Sequence, residues 1–128
     1  MKPLLGKTVL VVDDEPMLRE IISDELKEVG AEIIEAGNGR EAIAMIGERQ
    51  IDCVVTDVHM PGGDGVELLE KIRLKDPRFP SVILITGHSD FSLETAHEKG
   101  ADAVVGKPFD SQDLIRTVLL AVFGPSCR

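Results

Sequence analysis

Five times along the chain, a short β-branched run gives way to a breaker and then to a stretch with helical apolar spacing. The runs occupy residues 8–12, 32–36, 53–56, 81–85 and 103–105. This alternation leaves few architectures open. Neighbouring parallel strands need a crossover of helical length, and that crossover is right-handed. Short, continuously apolar runs suit strands covered on both faces. The second run departs from this, because Glu32 and Glu35 flank Ile33 and Ile34, which places it at a sheet edge. The expected fold is α/β: a doubly wound, five-stranded parallel sheet with five flanking helices.

The helical stretches carry their own punctuation. Pro16 suits a first turn, and Leu18, Ile21, Ile22, Leu26 and Val29 then recur at helical spacing up to Gly30. Asn38 can cap a helix bearing Ala42, Ile43 and Ile46 that stops near Gly47. Val66, Leu68, Leu69 and Ile72 line a third helix, closed by Pro77. The fourth, roughly 89–99, is the weakest, with only Phe91, Leu93 and Ala96 as apolar anchors. A fifth begins at Asp110, with Asp113 as the second half of an imperfect capping box, and packs through Leu114, Ile115, Val118, Leu119 and Val122. At 128 residues the chain has room for one domain, expected over 1–123, with 124–128 as a tail or the start of a linker.

Composition removes several function classes. Fourteen Lys and Arg against twenty-three Asp and Glu leave a net charge of −9, the wrong sign for a domain that binds nucleic acid. The longest apolar stretches, 82–85 and 118–123, fall far short of the ~20 residues that span a bilayer. The run 9–12 ends in Asp13-Asp14-Glu15 with no small-residue cleavage site, unlike a secretory leader. Cys53 and Cys127 do not form a disulfide framework. A cytoplasmic, acidic domain is expected.

In a doubly wound sheet, ligands bind beyond the carboxyl ends of the strands, so the residues standing there matter most. After the first strand come Asp13 and Asp14, after the third Asp57, after the fourth Thr86 and after the fifth Lys107. Any one Asp or Thr is an ordinary loop starter. The set is not, because turn chemistry does not call for a lysine directly after a buried strand. Carboxylates converging at such an edge repel by ~4 kcal/mol per pair at 4 Å and an effective permittivity near 20. Either their pKa values rise or a cation sits among them. Hard oxygen donors in a small open site suit Mg²⁺. Together with an ammonium and a hydroxyl, such a cluster describes phosphoryl transfer, with Asp57 as the nucleophile.

The blocks Val11-Val12-Asp13-Asp14-Glu15-Pro16, Asp57-Val58-His59-Met60-Pro61-Gly62-Gly63-Asp64-Gly65, Thr86-Gly87-His88, and Gly100-Ala101-Asp102 through Lys107-Pro108-Phe109 resemble the response-regulator receiver domain. The match runs through nearly the whole chain in order. It implies strand order 2-1-3-4-5 and a phosphoacceptor switch of a two-component phosphorelay. In that scheme Asp57 accepts a phosphoryl group from a sensor histidine kinase or a histidine phosphotransfer protein. Asp14 binds Mg²⁺ directly, Asp13 mainly through water, and Asp57 and the main-chain carbonyl of His59 complete the protein ligands. Thr86 donates to the phosphoryl group, Lys107 pairs with it, and the Lys107–Pro108 bond is expected to be cis. The resemblance also implies a partner or output domain that reads the switch, a receiver that catalyses only its own phosphorylation and dephosphorylation, and dimerisation as an option.

The chain departs from that pattern at Val104, where the family usually has Tyr or Phe. Valine cannot swing a ring toward Thr86, so switching is expected to rely on the fourth helix and its preceding loop. His59 and His88 follow Asp57 and Thr86 by two residues and are expected to be exposed loop residues that tune water access to the acyl phosphate. Three look-alike motifs fail. Gly37-Asn38-Gly39-Arg40-Glu41-Ala42 has dinucleotide-binding spacing but follows the second strand and leads into an acidic pocket hostile to pyrophosphate. The 100–107 segment has one residue too many for a P-loop, and Asp13-Asp14-Glu15 would repel a flavin phosphate. The competing enzyme reading is an aspartyl-phosphate phosphatase of the dehalogenase-like kind. That reading wants its nucleophile on the first strand in a D-x-D pattern, which Val12-Asp13-Asp14-Glu15 lacks, and a covering cap, for which 128 residues leave little space. A degenerate receiver that only binds a partner is a weaker option, since the whole set of site residues is present.

Overall fold

The computed structural model describes residues 2–60, 65–87 and 93–124. The strands are β1 (Thr8–Val12), β2 (Glu32–Ala36), β3 (Cys53–Asp57), β4 (Ser81–Thr86) and β5 (Ala103–Gly106). All pairings are parallel and the order is β2-β1-β3-β4-β5, which puts the polar β2 at an edge as its glutamates require. Each strand starts where its apolar run starts. β3, β4 and β5 each continue one residue further than side-chain polarity indicates. The reason lies in the ladder: Asp57 is in register with Ile85 and Thr86 with Gly106, so the backbone stays paired after the side chains turn polar.

Alternate strand residues point to opposite faces, which makes two apolar layers. On one face Leu10, Val54, Val82 and Leu84 meet α2 (Gly39–Glu48), α3 (Gly65–Lys75) and Ala96 of α4 (Leu93–Glu98). On the other, Val9, Val11, Val55, Ile83 and Ile85 meet α1 (Pro16–Glu28) and α5 (Ser111–Phe123). Leu10, Val54, Ile83, Leu26, Leu68 and Leu114 are fully buried, and burial of each such side chain contributes about 1.5–3 kcal/mol.

The helix ends follow the expected signals, with informative exceptions. Asn38 Oδ1 accepts from the Glu41 N–H at 2.9 Å and caps α2, which runs one residue beyond Gly47. Asp110 caps α5 by accepting from the Gln112 N–H at 2.8 Å, while Asp113 pairs with Arg116 at 3.3 Å, so the capping box does not close. The fourth helix ends at Glu98. Beyond it, Gly100 takes φ +104° and the Ala101 N–H returns to the Ala96 carbonyl at 2.9 Å, a left-handed stop that glycine adopts without a Cβ penalty. The first residues expected in that helix, Phe91 among them, lie outside the described set, as do His88, Cys127 and the 61–64 stretch of the second block. Lys107–Pro108 is cis as expected, and so is Phe79–Pro80. No helix among the described residues is long and apolar enough to cross a membrane.

Candidate functional site

β1 and β3 are neighbours in the sheet, so the residues at their carboxyl ends meet. Asp13 and Asp14 follow β1, and Asp57 is the last residue of β3. One carboxylate oxygen from each of the three lies within 4.8 Å of the others. Asp13 is 1% exposed and Asp57 7%, whereas Asp14 stands in solvent. The cluster is thus walled on two sides and open on the third.

The positive partner comes from the far edge. Lys107 follows β5, and its N–H donates to the Thr86 carbonyl at 2.8 Å, which extends the β4–β5 ladder by one bond. Its side chain crosses the end of β4 and brings Nζ to 2.9 Å from Asp57 Oδ2. The other Asp57 oxygen, Oδ1, accepts from the His59 N–H at 3.2 Å. Thr86, buried at the end of β4, completes the rim. His59 itself is exposed, as expected for a loop residue at the mouth. All the strand-end residues singled out from the pattern therefore stand on one edge of the sheet, and Asp13, Asp14, Asp57 and Lys107 converge.

Burial, reinforced by the negative charges of Asp57 and Asp14, holds the Asp13 carboxyl above the usual carboxylate range. The Glu15 N–H at 2.8 Å and the Lys107 ammonium offset only part of this. For Lys107, burial works against the charged form, but the hydrogen bond and charge of Asp57, with Asp13 and Glu15 behind them, prevail and raise its pKa. Three carboxylates thus face one ammonium. A hard, oxygen-only donor set with excess negative charge fits a Mg²⁺ ion, which binds through few carboxylates and keeps several waters. Asp13, Asp14 and Asp57 are the side chains that would hold it.

The raised Asp13 carboxyl has a measurable consequence. The folded chain holds that proton more tightly than the unfolded one, so ionised Asp13 costs stability above its folded pKa, and the cost fades as pH falls toward 3.8. In EDTA at neutral pH, Asp13→Asn should therefore raise stability and Tm. Scanning calorimetry should show this advantage shrinking as the pH is lowered through the carboxylate range. Mg²⁺ should raise the Tm of the native chain and raise that of the variant by less.

Three contributors carry no chemical signature of their own in the sequence. The His59 N–H is a backbone donor and has no side-chain signature. Gly65 lets the chain return over the end of β3, and its only trace is a glycine at the close of a glycine-rich block. Arg19 binds the Asp13 main chain from α1, and spacing alone does not mark it.

The model of the response regulator receiver domain matches residues 9–119. The transcriptional regulatory protein PdtaR of Mycobacterium tuberculosis is 37% identical over 118 residues, which is 91% of this chain and 57% of that protein. The chain thus spans little more than half the length of the curated relatives it matches. Among solved structures, a response regulator receiver domain protein from Clostridium thermocellum superposes with a TM-score of 0.84 at 32% identity, covering 91% of this chain and 94% of that one. The response regulator TrrA of Thermotoga maritima, solved in complex with Mg²⁺-BeF, gives 0.82 at 37% identity over 90% and 98%. Chemotaxis response regulator CheY4 of Vibrio cholerae gives 0.81 at 29% over 90% and 98%. With fold, strand-end chemistry and family model in agreement, the chain belongs to the response-regulator receiver domains of two-component systems.

Proposed function

We propose that this receiver is a phosphoacceptor switch in which an Asp57 carboxylate oxygen attacks the phosphorus of a phosphohistidine, borne by a sensor histidine kinase or a phosphotransfer protein. The P–N bond breaks as the O–P bond forms, and the imidazole leaves with the proton it carries. Mg²⁺, held by Asp13, Asp14, Asp57 and the His59 main-chain carbonyl, supplies charge neutralisation when bound. Lys107, already 2.9 Å from Asp57 Oδ2, is placed to follow the charge onto the phosphoryl oxygens, and Thr86 donates its hydroxyl there. The observation that carries this reading is the ammonium seated on one oxygen of a buried aspartate with two further carboxylates within 4.8 Å.

Acetyl phosphate with Mg²⁺ should add one phosphoryl group, about 80 Da by intact mass, to the native chain and nothing to Asp57→Asn. Absence of the adduct in the native chain, or steady turnover of a phosphomonoester in its place, would overturn the switch reading. The receiver unit is assigned to 1–123, where α5 ends at Phe123, and 124–128 to a tail or the start of a linker. PdtaR is named as a transcriptional regulator, which makes an output domain or a separate target protein the reader of the switch; a homodimer is an alternative form of that output. The cytoplasm, where such kinases present their phosphohistidine, is the proposed location.

Val104 lies opposite Leu84 in the β4–β5 ladder, and an aliphatic side chain there provides no ring to report on Thr86. Switching is assigned to α4, a six-residue helix with Ala96 buried beneath it. Amide exchange across residues 93–98 should change several-fold when a beryllofluoride mimic is added. Identical exchange in both states would move the switch elsewhere.

A further inference from the structure

Asp13 is held through three different groups, from the end of β2, from the N-cap of α1 and from within α1. Its N–H donates to the Ala36 carbonyl at the end of β2, at 3.1 Å. Its Oδ1 accepts from the Glu15 N–H at 2.8 Å. Its main-chain carbonyl accepts from Arg19 Nη1, on the first turns of α1, at 2.7 Å. Asp13 Oδ2 takes part in none of these bonds. The guanidinium is itself anchored, because Arg19 Nε donates to Glu35 Oε1 on the edge strand β2 at 2.9 Å, with the arginine side chain only 21% exposed.

The carbonyl that Arg19 grips belongs to the peptide joining Asp13 to Asp14. That unit is planar, so fixing its oxygen fixes the path from one Cα to the next. The Arg19 bond therefore joins the Ala36 and Glu15 bonds in setting the orientation from which both acids project. Resting on the phosphoacceptor reading above, we infer that Arg19 is a positioning residue for the divalent-cation site, and that Glu35 holds it in place. Its effect is geometric. The guanidinium charge is matched by Glu35, and Arg19 touches the backbone of Asp13 and not its carboxylate. Lysine cannot reproduce the role, because one ammonium does not offer two divergent donors on a planar fork.

Isothermal titration of Mg²⁺ into the unphosphorylated chain tests this without any turnover. Arg19→Ala should weaken binding about tenfold or more, in line with the loss of groups that orient ligands. Arg19→Lys should recover only part of it. Glu35→Ala should weaken binding several-fold, whereas Glu35→Gln, which still accepts from Nε, should stay near native. The double variant Arg19→Ala/Glu35→Ala should be no weaker than Arg19→Ala alone. At saturating Mg²⁺, labelling of Arg19→Ala by acetyl phosphate should reach the native end point, so that the defect lies in the cation requirement and not in the nucleophile. Native affinity in a folded Arg19→Ala overturns the inference; if that variant does not fold, equal affinities in Glu35→Ala and Glu35→Gln do so. A native chain that takes up no Mg²⁺ instead removes the cation site itself, a result distinguishable from both.

Discussion

Gly65→Ala should lower the unfolding free energy by about 3 kcal/mol, roughly 10 °C in Tm for a domain of this size, and should disturb Asp57 as well. Gly65 is the first residue of α3, and its N–H donates to the Val58 carbonyl at 3.0 Å, which brings the helix start onto the end of β3. A Cβ built there would overlap the Asp57 carbonyl oxygen and stand 3.1 Å from its carbonyl carbon and 3.2 Å from Val58 Cα. All three neighbours are backbone, so no side chain can swing aside. Either α3 lifts off the sheet or the end of β3 shifts, and packed interiors resist both. A shift of the Asp57 main chain moves its carboxylate relative to Lys107 Nζ, so the phosphorylation rate should fall along with Tm. Thermal unfolding and acetyl phosphate labelling on the same sample check both halves; an unchanged Tm would mean that the helix start yields freely.

The contrast between Asp57 and Gly65 shows what was legible in the sequence. Asp57, Thr86 and Lys107 could be read because each ends or follows an apolar run, and a parallel sheet collects the carboxyl ends of its strands on one edge. β2 announced its edge position through Glu32 and Glu35. Strand ends were blurred by a residue because polarity marks where side chains leave the core, whereas the ladder ends where pairing ends. Gly65, Arg19 and the His59 N–H were not legible as parts of the site. Each acts through a main-chain group, as donor, as partner of a carbonyl or by close approach to one, and the side-chain periodicity does not encode such contacts. The same holds for Asp113, whose spacing suits a capping box but whose carboxylate meets Arg116 on its own helix.

Arg73 is the residue with most at stake away from the site, and Arg73→Ala should cost about 3 kcal/mol. Near the end of α3, its side chain is 9% exposed, and burial pulls its pKa below the usual arginine value against the charges of Asp102 and Asp76. Nε donates to the Gly100 carbonyl at 2.8 Å, Nη1 to the Pro80 carbonyl at 2.8 Å and Nη2 to Asp102 Oδ2 at 3.1 Å. Asp102 Oδ2 also accepts from the Val82 N–H at 2.8 Å, so one guanidinium ties α3, the start of β4 and the turn after α4 together. Truncation leaves two main-chain oxygens without their donor and a carboxylate without its cation. Because the Asp102 side chain is 37% exposed, water recovers part of that last loss, and most of the cost falls on the carbonyls. Lysine restores charge but supplies a single donor group, so Arg73→Lys should regain less than half. Asp102→Asn keeps an acceptor for Val82 and should cost near 1 kcal/mol, and the double variant should fall short of additive because the pair is in contact. Urea unfolding of the native chain and the four variants measures these differences. A loss under 1 kcal/mol for Arg73→Ala would show that water takes over the three acceptors, and that the turn after α4 is held by its own backbone bonds instead.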